Sequence, residues 1–328
     1  MDMNSILVAG GSLGAMGLLF GAGLAYASQK FAVEVDPRVT AVREAVPGAN
    51  CGGCGYPGCD GFAVAVVAGE APITGCPVGG ADCVQSIAQI MGLEAGDTVK
   101  QVARVLCNGT KDNCQNKFEY DGFTDCRAAM VTLGGPKTCS AGCMGLGTCE
   151  RVCPFDAIYI DESTGLAVVD PDKCTACGKC LDACPKNVIG YVPYSQFTIV
   201  DCMNKERGGH VKKNCGVACI ACGMCERACP FDAIHVENNI ASIDYDKCTN
   251  CMVCVEKCPT KAIYGDLSTR KTAVVIEDKC IGCTICAKKC PVDAIEGELK
   301  GLHKVDPEKC IGCGVCEEKC PKDAIEMR

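Results

Sequence analysis

The sequence predicts an α+β chain in which one membrane-spanning helix leads into a series of small domains built around metal-thiolate centres. Three observations predict it: an uncharged apolar run near the N-terminus, 34 cysteines with no tryptophan, and a cysteine spacing that recurs along the rest of the chain. A chain of 328 residues with 5% aromatics does not build ordinary cores. Its cysteines fall in C-x2-C steps, which suit ligands converging on one centre better than disulfides between distant segments. The formal charge of -8 excludes nucleic acid as a partner class, because phosphate backbones require a concentrated positive field.

Residues 1–30 read as a membrane anchor. From Ser5 to Ala27 the chain runs 23 residues without a charge, long enough to cross a bilayer as a helix. Ala25-Tyr26-Ala27 resembles a signal-peptide cleavage site, but Asp2 and no basic residue precedes the run, so a retained span is expected. Lys30, Arg38 and Arg43 follow it, which predicts a single-pass protein of the cytoplasmic membrane with its metal domains on the cytoplasmic side. Gly10, Gly14, Gly17 and Gly21 share one helix face, either as a groove for a second helix or as the glycine common in membrane spans.

Residues 31–98 form the next unit, with Cys51, Cys54, Cys59 and Cys76 spaced C-x2-C-x4-C-x16-C. Four thiolates suit a 4Fe-4S cluster, with zinc as the alternative from this motif alone. Gly52, Gly53, Gly55 and Gly58 allow backbone to wrap closely around a centre. Gly53-x-Gly55-x-x-Gly58 also matches the dinucleotide fingerprint, but Cys54 lies inside it and no long helix follows, so no nucleotide or flavin is expected. Short helices are expected over 61–69 and 82–91.

After a connecting segment, 99–135, the pattern C-x2-C-x2-C-x3-C-P occurs five times. Its members are Cys174, Cys177, Cys180 and Cys184; Cys219, Cys222, Cys225 and Cys229; Cys248, Cys251, Cys254 and Cys258; Cys280, Cys283, Cys286 and Cys290; and Cys310, Cys313, Cys316 and Cys320. An altered copy, Cys139, Cys143, Cys149 and Cys153, precedes them. This is the bacterial ferredoxin signature, in which the fourth cysteine reaches the partner module's cluster. Six modules taken in order make three dicluster ferredoxin-like domains, 136–200, 201–266 and 267–328, and each should carry small hairpins such as 157–161 with 166–170. The cofactor expectation is therefore seven 4Fe-4S clusters on 28 cysteines, their irons being the only metal expected, and loss of iron should unfold the domains.

Six cysteines remain: Cys83, Cys107, Cys114, Cys126, Cys202 and Cys215. Cys126-x12-Cys139-x3-Cys143-x5-Cys149-x3-Cys153 repeats as Cys202-x12-Cys215-x3-Cys219-x5-Cys225-x3-Cys229. The repeat leaves open an eighth cluster, an altered ligand set, or free buried thiols. His210, His235 and His303 are read as surface or hydrogen-bonded groups, with His210 also within reach of ligation.

A fully thiolate-ligated cluster exchanges electrons but offers no site for a substrate, and no catalytic constellation accompanies the cysteines, so no catalytic residue is assigned. The glycine-rich span, Asp36-Pro37-Arg38-Val39, Cys51-Gly-Gly-Cys-Gly-Tyr-Pro-Gly-Cys59, Cys76-Pro-Val-Gly-Gly80 and the modules that follow resemble the B subunits of the Rnf electron-transport complexes over the whole chain. The resemblance implies an ion-translocating ferredoxin:NAD oxidoreductase. In it the B subunit takes electrons from reduced ferredoxin, passes them through integral and flavin-bearing subunits towards NAD, and the transfer drives sodium or proton export. A stand-alone polyferredoxin that stores or relays electrons, and an iron-sulfur assembly or regulatory protein that reduces a sensor at the membrane, are the competing readings. Residues 1–98 carry 3 positive and 9 negative side chains against 11 of each in 270–328, so Lys288, Lys289, Lys300 and Lys304 are candidates for docking an acidic ferredoxin, or an ordinary solvated surface.

Overall fold

The computed structural model describes residues 3–31, 36–96 and 99–328, with side chains in the first helix from Gly10 onward; Asp2 lies outside the described residues. Helix α1 (Met3–Lys30) is continuous. Its portion Gly10–Lys30 has the length and mean hydropathy, 1.3, to cross a membrane, and none of it is buried against the rest of the chain. A Cβ on Gly10, Gly14, Gly17 or Gly21 would meet nothing within 4 Å, so nothing among the described residues fills the glycine face.

Three helices follow: α2 (Pro37–Ala45), α3 (Gly58–Val67) and α4 (Gly80–Met91). Asp36 caps α2 by accepting from the Arg38 N–H, and Pro37 supplies a first-turn residue with no N–H to satisfy. Val42, Phe62, Val66 and Ile87 close the core between them. The two helices expected at 61–69 and 82–91 begin earlier, because Gly58 (φ 81°) and Gly80 (φ 61°) turn cysteine-bearing loops directly into helix.

The remaining chain repeats one architecture. In the first dicluster domain β1 (Gln101–Val105) pairs antiparallel with β4 (Ile189–Pro193), and β2 (Ile158–Asp161) forms the expected hairpin with β3 (Leu166–Val169). The second pairs β5 (Ile199–Val200) with β8 (Ile263–Tyr264) and β6 (Ile234–Glu237) with β7 (Ile240–Ile243). The third pairs β9 (Ala273–Val275) with β12 (Ile325–Met327) and β10 (Ile295–Glu296) with β11 (Lys304–Val305). Each domain thus has one local hairpin and one sheet joining its two ends, and the leading strand of that sheet precedes the first module. Strand β1 comes from the segment read in the sequence as a connection. Such two-stranded ribbons are too small to be stable alone, and their aliphatic faces pack on cysteines: Ile158, Val188 and Ile189 share a core with Cys143, Cys149, Cys174 and Cys180. Ile234 and Ile263 do the same with Cys219, Cys225 and Cys254, and Ile295 and Ile325 with Cys286 and Cys316.

Candidate metal centres

In the regular modules the second and fourth residues after the first cysteine have left-handed backbone: Ala176 and Gly178, Ala221 and Gly223, Asn250 and Met252, Gly282 and Thr284, Gly312 and Gly314. These reversals curl the loop so that its cysteines face inward, and a short helix then buries the third cysteine, as at Cys180, Cys225, Cys254, Cys286 and Cys316. After each Cys-Pro the third residue is again left-handed, from Asp156 to Asp323. This aims the next N–H at the closing sulfur. The N–H groups of Ala157, Ala233, Ala262, Ala294 and Ala324 donate to Cys153, Cys229, Cys258, Cys290 and Cys320 at 3.2 to 3.4 Å.

The closing cysteines cross between partners. Cys280, Cys283 and Cys286 line a hollow of about 370 Å³ with Cys320, while Cys310, Cys313 and Cys316 line one of about 330 Å³ with Cys290. Cys248, Cys251 and Cys254 enclose a third of about 330 Å³ with Cys229. Cys225 stands among Cys219, Cys222 and Cys258, and Cys180 among Cys174, Cys177 and Cys153.

The walls of these hollows fit a sulfur-rich inorganic group. Thr198 and Thr249 line the Cys248 hollow, the buried His303 lines the Cys280 hollow, and neither the two hydroxyls nor the two ring nitrogens have a hydrogen-bond partner among the described residues. Donors at such walls are satisfied by acceptors inside the hollow, as inorganic sulfides would be. Among the described residues no three His, Cys, Asp or Glu side chains converge as a single bare ion would require. Burial pushes the thiols of Cys149, Cys180 and Cys254 up to about 12, and those of Cys225 and Cys316 up to about 11. These sulfurs keep their protons until a cationic centre compensates the thiolate charge, which couples binding to proton release. A 4Fe-4S cluster held there supplies one-electron exchange.

The altered module departs from the sequence grouping. Gly145 (φ 70°) and Gly147 (φ 71°) occupy the two left-handed positions, so the module runs Cys143-Met-Gly-Leu146-Gly-Thr-Cys149, and Leu146 stands where the others have their middle cysteine. Cys126 fills the gap. Cys126, Cys143, Cys149 and Cys184 line one hollow of about 340 Å³. The Cys126 N–H donates to the Thr148 hydroxyl at 2.7 Å, and Asp125, paired with Arg151 at 2.8 Å, caps the helix that Cys126 begins. Cys139, grouped in the sequence with Cys143, lies instead in a separate hollow with Cys107, Cys114, Cys202 and Cys215. The signal in the sequence was the Gly-x-Gly of residues 145–147, which sets the register better than the cysteine count does.

At the N-terminal site, Cys54, Cys59 and Cys76 pack on the helical core, and the Asn50 side chain accepts from the Cys59 N–H at 2.9 Å. Cys83, one of the six cysteines whose role the sequence leaves open, packs in the same core beside Cys76 and holds that thiol down to about 6. Cys51 stands beside Cys177, and a Cβ on Gly53 would come within 2.6 Å of the Cys177 carbonyl oxygen, so the N-terminal site abuts the first dicluster domain and only glycine fits there. His210 is exposed and paired with Glu206 at 2.9 Å, and His235 lies near Glu226 and Asp232. Lys288, Lys289, Lys300 and Lys304 are exposed.

Residues 46–78 match an Fe-S cluster family, and 138–188, 218–275 and 273–327 match families described as 4Fe-4S dicluster domain. The B subunit of the Na(+)-translocating ferredoxin:NAD(+) oxidoreductase complex of Acetobacterium woodii is 57% identical over 84% of this chain and 83% of its own length. Its counterpart in the proton-translocating ferredoxin:NAD(+) oxidoreductase complex of Clostridium ljungdahlii is 43% identical over 80% and 93%. The B subunit of the ion-translocating oxidoreductase complex of Methanosarcina acetivorans is 40% identical over 80% and 97%.

Proposed function

The chain belongs to the B-subunit family of Rnf-type ion-translocating oxidoreductase complexes, an iron-sulfur electron-transfer component of a membrane-associated assembly, and we propose that it is where electrons from reduced ferredoxin enter on their way to NAD. On this reading it has no catalytic pocket of its own. It carries electrons from the cytoplasmic side of α1 to integral and flavin-bearing partner subunits, whose ion export, of sodium or protons, the transfer drives.

The observation that carries the proposal is the nearness of successive cysteine sets. Cys51 of the N-terminal site stands beside Cys177, and Cys251 of the second dicluster domain beside Cys313 of the third. Electrons need such short steps, and a chain built only to store iron does not. Seven clusters would be held by Cys51, Cys54, Cys59 and Cys76; by Cys126, Cys143, Cys149 and Cys184; by Cys153, Cys174, Cys177 and Cys180; and by the four crossed sets of the two later domains. The glycine face of α1 offers a close approach for a partner helix. The exposed Lys288, Lys289, Lys300 and Lys304 offer a cationic face for an acidic ferredoxin.

Anaerobic purification from membranes tests this directly. The chain should copurify with integral and flavin-bearing subunits, contain at least about 28 irons, and be bleached by reduced ferredoxin. Replacing the four lysines by glutamate should slow that reduction at low salt. A preparation rich in zinc and poor in iron, or one that ferredoxin leaves oxidised, overturns the proposal.

A further inference from the structure

Five cysteines outside the seven sets meet in one place. Cys107, Cys114, Cys139, Cys202 and Cys215 line a hollow of about 330 Å³, as large as those of the regular modules. All are buried except Cys107, which is half-buried. Cys139 and Cys215 are equivalent members of the two C-x12-C-x3-C-x5-C-x3-C copies, so two related loops deliver related sulfurs to the same point. Cys202 is the equivalent of Cys126. Cys126 is engaged in the altered module because Leu146 replaces a cysteine, whereas Cys222 is present in the second copy and leaves Cys202 free to turn here.

The surroundings are built like those of the other sets. The Cys143 N–H donates to Cys107 at 3.4 Å, and the Asn204 amide, itself 1% exposed, donates to Cys139 at 3.4 Å. Gly109 leaves room between sulfurs, since a Cβ there would lie 3.5 Å from Cys107 Sγ and 3.6 Å from Cys215 Sγ. The loop bearing Cys107 and Cys114 is clasped from both sides, with the Asn113 carbonyl accepting from the Gly216 N–H at 2.9 Å and the Gly109 carbonyl accepting from buried Lys137. Such effort spent on five free thiols has no packing purpose that alanine or valine would not serve as well.

We propose that these cysteines hold an eighth 4Fe-4S cluster, four as thiolate ligands and the fifth as a close neighbour in the manner of Cys83 beside Cys76. Cys107 lies against Cys143 of the first dicluster domain and Cys202 beside Cys219 of the second. The eighth cluster therefore stands between the two domains and joins their four clusters into one path, an inference that rests on the cluster-binding reading of the other seven sets.

Iron, acid-labile sulfide and zinc in the anaerobically purified full-length chain decide it. The proposal expects about 32 irons and as many sulfides per chain, falling to about 28 in the triple variant Cys114→Ala/Cys139→Ala/Cys215→Ala, which leaves too few thiols for a cluster. About 28 irons in the unaltered chain, whether or not one zinc accompanies them, overturns the eighth cluster and leaves the seven intact. Few irons would instead sink the parent reading. The count in the unaltered chain stands even if the triple variant fails to fold.

Discussion

The junction between the first and second dicluster domains and that between the second and third are built differently. At the first, Arg104 on β1 pairs with buried Asp201 at 2.9 Å and stacks on Tyr264, Ser140 donates to Glu206, and Thr138 donates to the Asn214 carbonyl. The five-cysteine hollow lies within this junction. At the second, Arg270 pairs with Glu256 at 2.7 Å and Cys251 approaches Cys313, while the third domain closes its own sheet by bonding Thr272 to Arg328. The lesson is that one junction between like domains can be built around a shared hollow of cysteines while the next is merely abutted. On the proposed function, the fused pair would hold its electron path in a fixed geometry, and the abutted domain would present the surface to a soluble donor.

The largest effect should come from removing iron. Anaerobic chelation is expected to unfold the dicluster domains, with loss of far-ultraviolet circular dichroism, because their ribbons pack on cysteine-bound centres. If the comparison is right, the third domain goes first, and proteolysis during chelation cuts near residues 266–272 before it cuts between the first two domains. Simultaneous loss of all three would break it.

A sharper effect concerns the altered module. Cys126→Ala should remove about four irons, and adding Leu146→Cys, which restores the regular spacing, should return them. Failure of the double variant to recover iron would mean that Leu146 does not stand at the vacant ligand position.

At the fused junction, Arg104→Ala should lower the local opening free energy of β1 and β8 by about 2 kcal/mol, read by hydrogen exchange. Burial already raises the Asp201 carboxyl above its ordinary range, against the pull of Arg104. Without the guanidinium it rises further. The cost should therefore be full at neutral pH and shrink as acid protonates the carboxyl, since a raised carboxyl pKa contributes stability at low pH that is lost as pH rises through it. At the abutted junction, Arg270→Ala should cost no more than about 1 kcal/mol, because its partner Glu256 is substantially exposed. Smallest of all, Thr249→Val should lower the potential of the neighbouring cluster by about 40 mV if its hydroxyl is worth about 1 kcal/mol more to the reduced state, checked by redox titration.

Much of the architecture was legible from residue order. The apolar run at 5–27, the regular cysteine runs with their prolines, and the hairpin at 157–170 are local patterns, and local patterns specify helix, turn and ribbon because backbone geometry is decided within a few residues. The spacing also led to the expectation that closing cysteines cross between partners, and Cys320, Cys290 and Cys229 do line the partner module's hollow. The structure parts Cys139 from the altered module because backbone conformation, not the count of thiols, sets the register there: Gly145 and Gly147 take the two left-handed positions, and Leu146 stands where the other modules have their middle cysteine. His303 was read as a surface or hydrogen-bonded group, yet it is buried against a hollow, since a lone histidine carries no local signal of its depth.

The residue order by itself determined the kind of chain this is: a membrane helix, a glycine-wrapped site and six ferredoxin-like modules, all written in spacings shorter than about twenty residues. Only the tertiary structure decided which sulfurs share a hollow. Cys126 meets Cys184, and Cys107 and Cys114 meet Cys202 and Cys215, across separations of 58 to 108 positions that no spacing rule connects. The physical reason is that a cluster is a point in space. Any thiol reaching it serves, and which thiols reach it depends on how β1 and the loop behind it are packed between two domains.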